Sequence, residues 1–348
     1  MSSELAELIH ERLDAVDVPP PDLAAVHRHG YRIRALRVAG VASAGLAAVL
    51  VGGIIAGQLG GGDPESKGRD IAPIGRLDLS GGLRAYAAPA AEVHLGGRSF
   101  PAEQMEFLDT DAAATPYGVL FYDAGRPMLL DESGAIVDLE PDAEGTDFRP
   151  HAKSDSQAPL VAYGATFDGA PQVLVRDLST DTVVARHEVP EDAVIDGIDD
   201  GVVLLRTAGG TSTWDSRTDA VQQLGGPRTR VADVRNGVLL YDGPRPDGPA
   251  AAAYRLVPGA IDAQLTYDGG HVLYWSNRLE PTDGGPPVVL DERATWFAVD
   301  TDGSILAAAP GQGATSTVYD CEVPSGRCTE LGPLETLHGD PMFIGVDM

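Results

Sequence analysis

Two interleaved families of short β-hairpins, and one uncharged run of 22 residues near the N-terminus, predict an all-β propeller preceded by a single transmembrane helix. Seven blades are expected, with six as the alternative. The predicted division is 1–37 cytoplasmic, with a short amphipathic helix, 38–59 transmembrane, 60–74 linker and 75–348 extracytoplasmic propeller.

The N-terminal segment contains a predicted helix from Glu4 to Val16, capped by Ser3, with Leu5, Leu8, Ile9, Leu13 and Val16 on one apolar face. Pro19, Pro20 and Pro21 stop it, and Asp22 starts a second helical stretch. An isolated helix of this length is marginal in water, so the apolar stripe calls for a protein partner or a lipid surface.

Val38 to Leu59 carries no charge and spans roughly 33 Å as a helix, enough for a bilayer core of about 30 Å. Arg28, Arg32, Arg34 and Arg37 crowd its N-terminal flank, whereas Asp63 and Glu65 lie on the other side. Positive charge favours the cytoplasmic side, which places the N-terminus inside and the large body outside. A cleaved signal peptide fits poorly, because the leader and the apolar run are both too long and Ala42-Ser43-Ala44 lies within the run. Gly53 and Gly57 form a close-packing pair, although Gly and Ala abound throughout the chain.

Of the net charge of −27, residues 1–37 contribute −1, so the rest carries −26. Such an acidic body repels nucleic acid and anionic headgroups and excludes both as its partners. Its bases are almost all Arg, with Lys67 and Lys153 the only lysines, a usage typical of a GC-rich bacterial genome.

The first hairpin family is marked by Asp200-Gly201, Asn236-Gly237, Asp268-Gly269 and Asp302-Gly303, at spacings of 36, 32 and 34 residues, each followed by an apolar run. The second is D-x-x-[GT]-x-x-V, at Asp131, Asp177 and Asp215, with Val137, Val183 and Val221 at plus six. A longer version starts at Asp320. Two hairpins per unit make four strands, the content of a propeller blade. Blades around 238–260 and 271–295 show no clear fourth strand, which keeps six open.

Val173–His187 resembles the outer hairpin of WD40-like and related bacterial propellers, and Thr213–Val221 and Thr317–Asp320 echo it. The resemblance covers roughly 75–348 and implies the fold, although no blade carries the paired G-H and W-D of true WD40 repeats. The complete layout resembles membrane-anchored actinobacterial propeller proteins. It is also similar to that of membrane-bound anti-sigma factors, but His10, His27 and His29 lack the Cys companions of their zinc-binding pattern.

Met342–Met348 reads like an inner strand such as Trp296–Asp300, and the strand-like pieces at 76–79, 83–87 and 92–95 have no inner strand of their own. Pairing the two ends completes one composite blade and removes a sheet edge. Cys321 and Cys328 flank the turn of the lengthened hairpin, and in an oxidising compartment they are expected to form a disulfide. A metal site would need closer spacing and further ligands.

No hydrolase elbow, zinc-helix motif, phosphate loop or dinucleotide fingerprint occurs, so no catalytic residue, cofactor or metal ligand is nominated. Asp196–Gly201 and Asp300–Gly303 look like calcium loops but lack the downstream ligands, and hairpin turns favour Asp and Gly for backbone reasons. His94, His151, His187, His271 and His338 are scattered. The expected role is an outer binding or sensing module for a ligand or protein, linked through the membrane to a cytoplasmic partner at 1–37. A cell-surface propeller enzyme, a glycosidase or lyase, is the alternative.

Overall fold

The computed structural model describes residues 82–88, 92–101, 112–131, 133–148, 150–260, 262–274, 277–290, 294–311, 315–335 and 342–344. The chain divides into Met1–Asp70 and Ile71–Met348, and every described residue belongs to the second unit. The expected amphipathic helix and the expected membrane helix at 38–59 therefore lie outside the described residues. Among the described residues, no helix is long and apolar enough to cross a membrane.

Seven sheets form a seven-bladed propeller among the described residues, which settles the blade count. Blade 1 takes Met342–Phe343 as its inner strand, followed outward by Tyr86–Ala88, Glu92–Leu95 and Arg98–Pro101. Blade 2 runs from Ala113–Thr115 through Gly118–Asp123 and Arg126–Asp131 to Ile136–Asp138. Blade 3 comprises Lys153–Ser154, Leu160–Phe167, Ala170–Asp177 and Thr182–Glu188, and blade 4 Val194–Asp199, Val202–Thr207, Gly210–Asp215 and Ala220–Gly225. Blade 5 has only Arg230–Arg235, Val238–Asp242 and Arg255–Pro258. Blade 6 contains Gln264–Leu265, His271–Leu273, Arg278–Pro281 and Val288–Val289. Blade 7 contains Trp296–Val299, Ile305–Pro310, Thr315–Cys321 and Cys328–Glu335.

Second strands are apolar along their length, as in Val119–Tyr122 and Val202–Leu205, because both faces of each blade are covered by its neighbours. Outer strands see water, and Thr182–Glu188 alternates between exposed and half-buried positions. The core therefore lies between blades rather than within them. Val173 and Val175 of blade 3 pack with Ile195, Val203 and Trp214 of blade 4. Ala298, Leu306, Ala308, Val318 and Leu334 of blade 7 enclose Phe343 of blade 1.

The composite blade is present. Phe343 pairs with Tyr86 and Met342 with Ala87. The N-terminal partner differs from expectation at its start: Leu83 and Arg84 precede the strand as an irregular segment held by blade 7.

Blade 5 lacks a fourth strand, as expected, but its strand pairing is one that the hairpin pattern did not reveal. After Asp242 the chain crosses outward through a 3-10 helix at Pro249–Ala253, which packs Ala250 and Ala251 against Leu204 and Leu224 of blade 4. It returns as Arg255–Pro258, parallel to Val238–Asp242. In a four-stranded meander the fourth strand runs in the direction of the second. A parallel third strand thus delivers the chain to the end where the next inner strand must begin, with one strand fewer. Blade 6, also expected to be short, has four strands.

Turn chemistry separates the first hairpin family into two kinds. Asp200-Gly201 and Asn236-Gly237 have φ of 47°, 75°, 49° and 73° respectively, the paired positive angles of two-residue hairpins. At the other two sites only Gly269 and Gly303 are positive, and longer turns span Thr266 to His271 and Asp300 to Ser304. In the second family the leading Asp caps its own turn: Asp177 accepts the N–H and hydroxyl of Ser179 at 2.8 and 2.5 Å, and Asp131 treats Ser133 likewise.

Cys321 and Cys328 are bonded and stand opposite each other in the outer hairpin of blade 7, with Cα atoms 3.9 Å apart, closer than the roughly 5.5 Å typical of disulfides. The Gly326 turn lies against Val289 on the outer strand of blade 6, where a Cβ would meet the Val289 carbonyl. Loop closure over so few residues contributes about 2 to 3 kcal/mol. Replacing both cysteines by Ser is expected to lower the melting temperature by a few degrees and leave the fold intact. Free thiols titrated in the native oxidised protein would contradict the bond.

Candidate binding site in the central channel

Inner strands converge on a central channel, where a cavity of about 80 Å³ is lined by blades 1, 2, 3, 5, 6 and 7. Two layers of side chains define it. The last paired residues of six inner strands are Thr115, Asp155, Asp199, Arg235, Thr266 and Asp300. Two residues earlier in each strand come Ala113, Lys153, Gly197, Asp233, Gln264 and Ala298.

Both layers serve first to join blades. Asp155 accepts the Gly201 N–H at 2.8 Å, and Asp199 accepts the N–H groups of Asn236 and Gly237, each at 2.8 Å. Asp233 accepts Leu265 N–H at 2.9 Å, and Gln264 Oε1 accepts Val299 N–H at 3.1 Å. Asp300 accepts Leu83 N–H and Arg84 N–H at 2.9 and 2.8 Å. Each acceptor engages the following blade, from blade 3 round to blade 1. Between blades 2 and 3, the buried Tyr122 hydroxyl takes a different route, accepting Gly164 N–H and donating to Pro150 O, both at 2.9 Å. The aspartates that precede the hairpin turns are thus inter-blade acceptors. Among the described residues, no group of three His, Cys, Asp or Glu is placed to hold a metal ion.

Asp155 and Asp300 are buried, and burial raises the pKa of both carboxyls above the ordinary value, against the pull of their backbone donors. The folded protein therefore retains protons that the unfolded chain would release. This contribution favours the fold at acid pH and is lost as pH climbs through the raised value. The stability advantage of the native protein over Asp300→Asn is expected to be largest near about pH 4 and to shrink towards neutrality. Urea midpoints measured across this range check the sign, and an advantage that grows with pH would contradict it.

Blade 5 has Arg235 where three other blades have Asp. Its guanidinium lies 4.7 Å from the Tyr267 ring centroid, is 3.3 Å from Asp233, and donates to Ser154 O of blade 3 at 3.1 Å, reaching past blade 4. Burial opposes its charge, but Asp233 and Tyr267 outweigh that effect and raise its pKa. Gly197 lets blades 4 and 5 pack closely, since a Cβ there would meet the Val234 side chain. Lys153 lies on the same wall. The opposite wall is aliphatic, with Ala85, Ala113, Ala298 and Ile344.

Other histidines and turn residues stay apart from this site. His94 stacks on Tyr86 at 4.5 Å, and His187 stacks on Trp214 at 5.0 Å. The Trp214 indole donates to Asp219 at 2.9 Å. His338 lies outside the described residues.

No protein-family model matches the chain, and no curated protein matches it by sequence. Among solved structures it is similar to TolB from Acinetobacter baumannii, at 14% identity and TM-score 0.40, over 74% of this chain and 65% of that one. BamB from Moraxella catarrhalis matches at 14% identity and TM-score 0.31, over 66% of this chain and 88% of that one. PorZ, a surface component of the type-IX secretion system of Porphyromonas gingivalis, matches at 14% identity and TM-score 0.42, over 65% of this chain and 33% of that one. The chain spans less than two thirds of TolB and of PorZ. These likenesses concern the fold alone, and the seven-blade assignment rests on the sheet order above.

Proposed function

We propose that this protein is a membrane-anchored binding module whose propeller lies outside the cell and takes its ligand at the central channel. One observation carries the reading: the channel places the charged and polar side chains of Lys153, Arg235, Asp233 and Gln264 beside an aliphatic wall on a rigidly joined ring. Anchoring rests on the uncharged run 38–59 and the arginines before it. Signalling to a cytoplasmic partner rests on the apolar face of the Glu4–Val16 segment, in the manner of the anti-sigma layout.

Protease added to intact cells is expected to degrade the body and spare a small N-terminal fragment carrying 1–37. Digestion of an N-terminal tag from outside, with the C-terminus protected, would reverse the orientation. Pull-down with residues 1–37 as bait tests the cytoplasmic arm, and a partner captured only when Leu5, Leu8 and Leu13 are intact supports it.

A further inference from the structure

We infer that Ser99, His94 and Glu92 form a nucleophilic site that takes acyl groups from small uncharged esters and passes them to water. It lies on the two outer strands of blade 1, away from the channel, and does not depend on the reading above. Gly96 and Gly97 have φ of 57° and 77°, the paired positive angles of a two-residue turn, which makes Leu95 and Arg98 a hydrogen-bonded pair. Alternation then makes His94 and Ser99 a non-hydrogen-bonded pair, whose side chains stand closest. Tyr86 faces His94 on the other side, and Glu92 precedes His94 by two residues, so all four side chains share one face of the blade. Ser99 Oγ lies 3.1 Å from His94 Nδ1, and His94 Nε2 lies 3.0 Å from Glu92 Oε1. The Tyr86 ring stacks on the imidazole at 4.5 Å and is itself held in the cluster around Phe343.

These partners fix the role of each ring nitrogen. A carboxylate only accepts, so Nε2 carries the proton of the neutral ring and Nδ1 is left to accept the Ser99 hydroxyl. A hydroxyl beside a base that a third group orients is the arrangement of an activated nucleophile. The exposed Ser133 and Ser179 differ, since each gives its hydrogen to an aspartate, and a carboxylate is a poor base at neutral pH. Ser99 is exposed too, and Arg98–Pro101 is the outermost strand of its sheet. The register turns the Ser99 main-chain N–H to that outer edge, where it can donate to a developing oxyanion. In the reaction Ser99 Oγ bonds to the ester carbonyl carbon as its proton passes to His94 Nδ1. The bond to the alcohol oxygen then breaks, and that oxygen takes the proton from Nδ1. Water attacks the acyl-serine in the same way, its proton passing through Nδ1 to Ser99 Oγ as the acid leaves. Glu92 touches none of these atoms and is a positioning residue. A body carrying −26 disfavours anionic esters, which leaves uncharged ones as the substrate class.

The test is acetylation of the full-length protein in mild detergent by 4-nitrophenyl acetate at neutral pH, with the acetylated residues mapped by mass spectrometry. Ser99 is expected to react about a hundredfold faster than Ser133 and Ser179, the worth of a general base. Nitrophenol release is expected to continue slowly after the initial burst, and Ser99→Ala to remove both phases. His94→Gln is expected to slow Ser99 acetylation by about a hundredfold at an unchanged melting temperature. Glu92→Gln is expected to slow it by about tenfold or more, because an amide can also donate and so frees the ring to carry its proton on Nδ1. Nitrogen-15 spectra of His94 should show that change of tautomer. Acetylation of Ser99 no faster than that of Ser133 and Ser179 overturns the inference without recourse to any variant. Ser99 acetylation that His94→Gln leaves unchanged overturns it as well, and a burst with no later release overturns the hydrolysis step.

Discussion

Deleting Met342–Met348 is expected to unfold the whole propeller rather than fray its end. Phe343 and Ile344 are buried, in the clusters that join blade 1 to blades 7 and 2 respectively. Losing two such side chains from the core costs about 3 to 6 kcal/mol, a large part of the 5 to 15 kcal/mol typical of a folded protein. Removing the strand also uncovers the backbone edge of Tyr86–Ala88, which no other strand pairs on that side among the described residues. Circular dichroism with a thermal ramp should show the cooperative transition shifted by tens of degrees or lost, with aggregates on gel filtration. Phe343→Ala alone, at about 3 to 5 kcal/mol, should be milder. A truncated protein that melts within a few degrees of the intact one would refute the closure argument.

The second large effect is expected at Arg176, whose five N–H donors are all used. Nε donates to the Tyr163 hydroxyl at 3.0 Å, Nη1 to the carbonyl and carboxylate of Asp181, and Nη2 to Leu139 O and Glu140 Oε1 at 2.6 and 2.8 Å. Tyr163 in turn donates to Glu140 at 2.7 Å, and burial holds its hydroxyl well above the usual range. Arg176 and Glu140 are both buried, one in blade 3 and the other following the outer strand of blade 2. Arg176→Met leaves the Glu140 carboxylate with the Tyr163 hydroxyl and, as its cation, the exposed Arg186 at 3.3 Å, and should cost about 3 to 5 kcal/mol. Adding Glu140→Leu and Tyr163→Phe removes the stranded charge and hydroxyl, so the triple variant should regain much of the loss. Urea midpoints decide this. A single variant as mild as a surface substitution, or a triple variant worse than the single, would show that the network does not act as a unit.

How far the sequence revealed the fold follows from the range of the interactions involved. Turn signals are local, so Asp200-Gly201 and Asn236-Gly237 announced their hairpins, and Asp131, Asp177 and Asp215 announced the outer ones. Closure was legible because Met342–Phe343 has no strand beside it in sequence and Tyr86–Ala88 lacks an inner neighbour. The disulfide was legible because its two residues share one hairpin. In blade 5 the missing fourth strand was legible but the parallel third strand was not, because a parallel pairing across a Pro- and Gly-rich crossover carries no two-residue turn and no alternation between its partners. The channel layers were hidden for a related reason. Asp199 and Asp300 stand next to turn residues and look like part of them, whereas their carboxylates serve the following blade. The available signal was an extra carboxylate just before the turn, where blade 5 has Arg235 instead. Lys153 could have been singled out as one of two lysines in an acidic chain, but only the folded ring brings it into one channel lining with Gln264 and Asp262.

The one-way direction of the inter-blade acceptors has a consequence in terms of symmetry. Blades 3 to 7 each offer an acceptor to the successor, which answers with one or two backbone N–H groups, so these joints are heterologous, like those of a ring-shaped oligomer strung on one chain. Such joints have no self-complementary stopping point; only the return of the last unit to the first terminates the series. If the seam between blades 7 and 1 is opened, one end presents the Asp300 carboxylate and the other presents the N–H groups of Leu83 and Arg84. Two opened copies then match each other as well as each matches itself. Head-to-tail polymerisation is therefore the alternative to closure at high concentration, and the covalent continuity of a single chain favours the closed ring by keeping its two ends at high effective concentration.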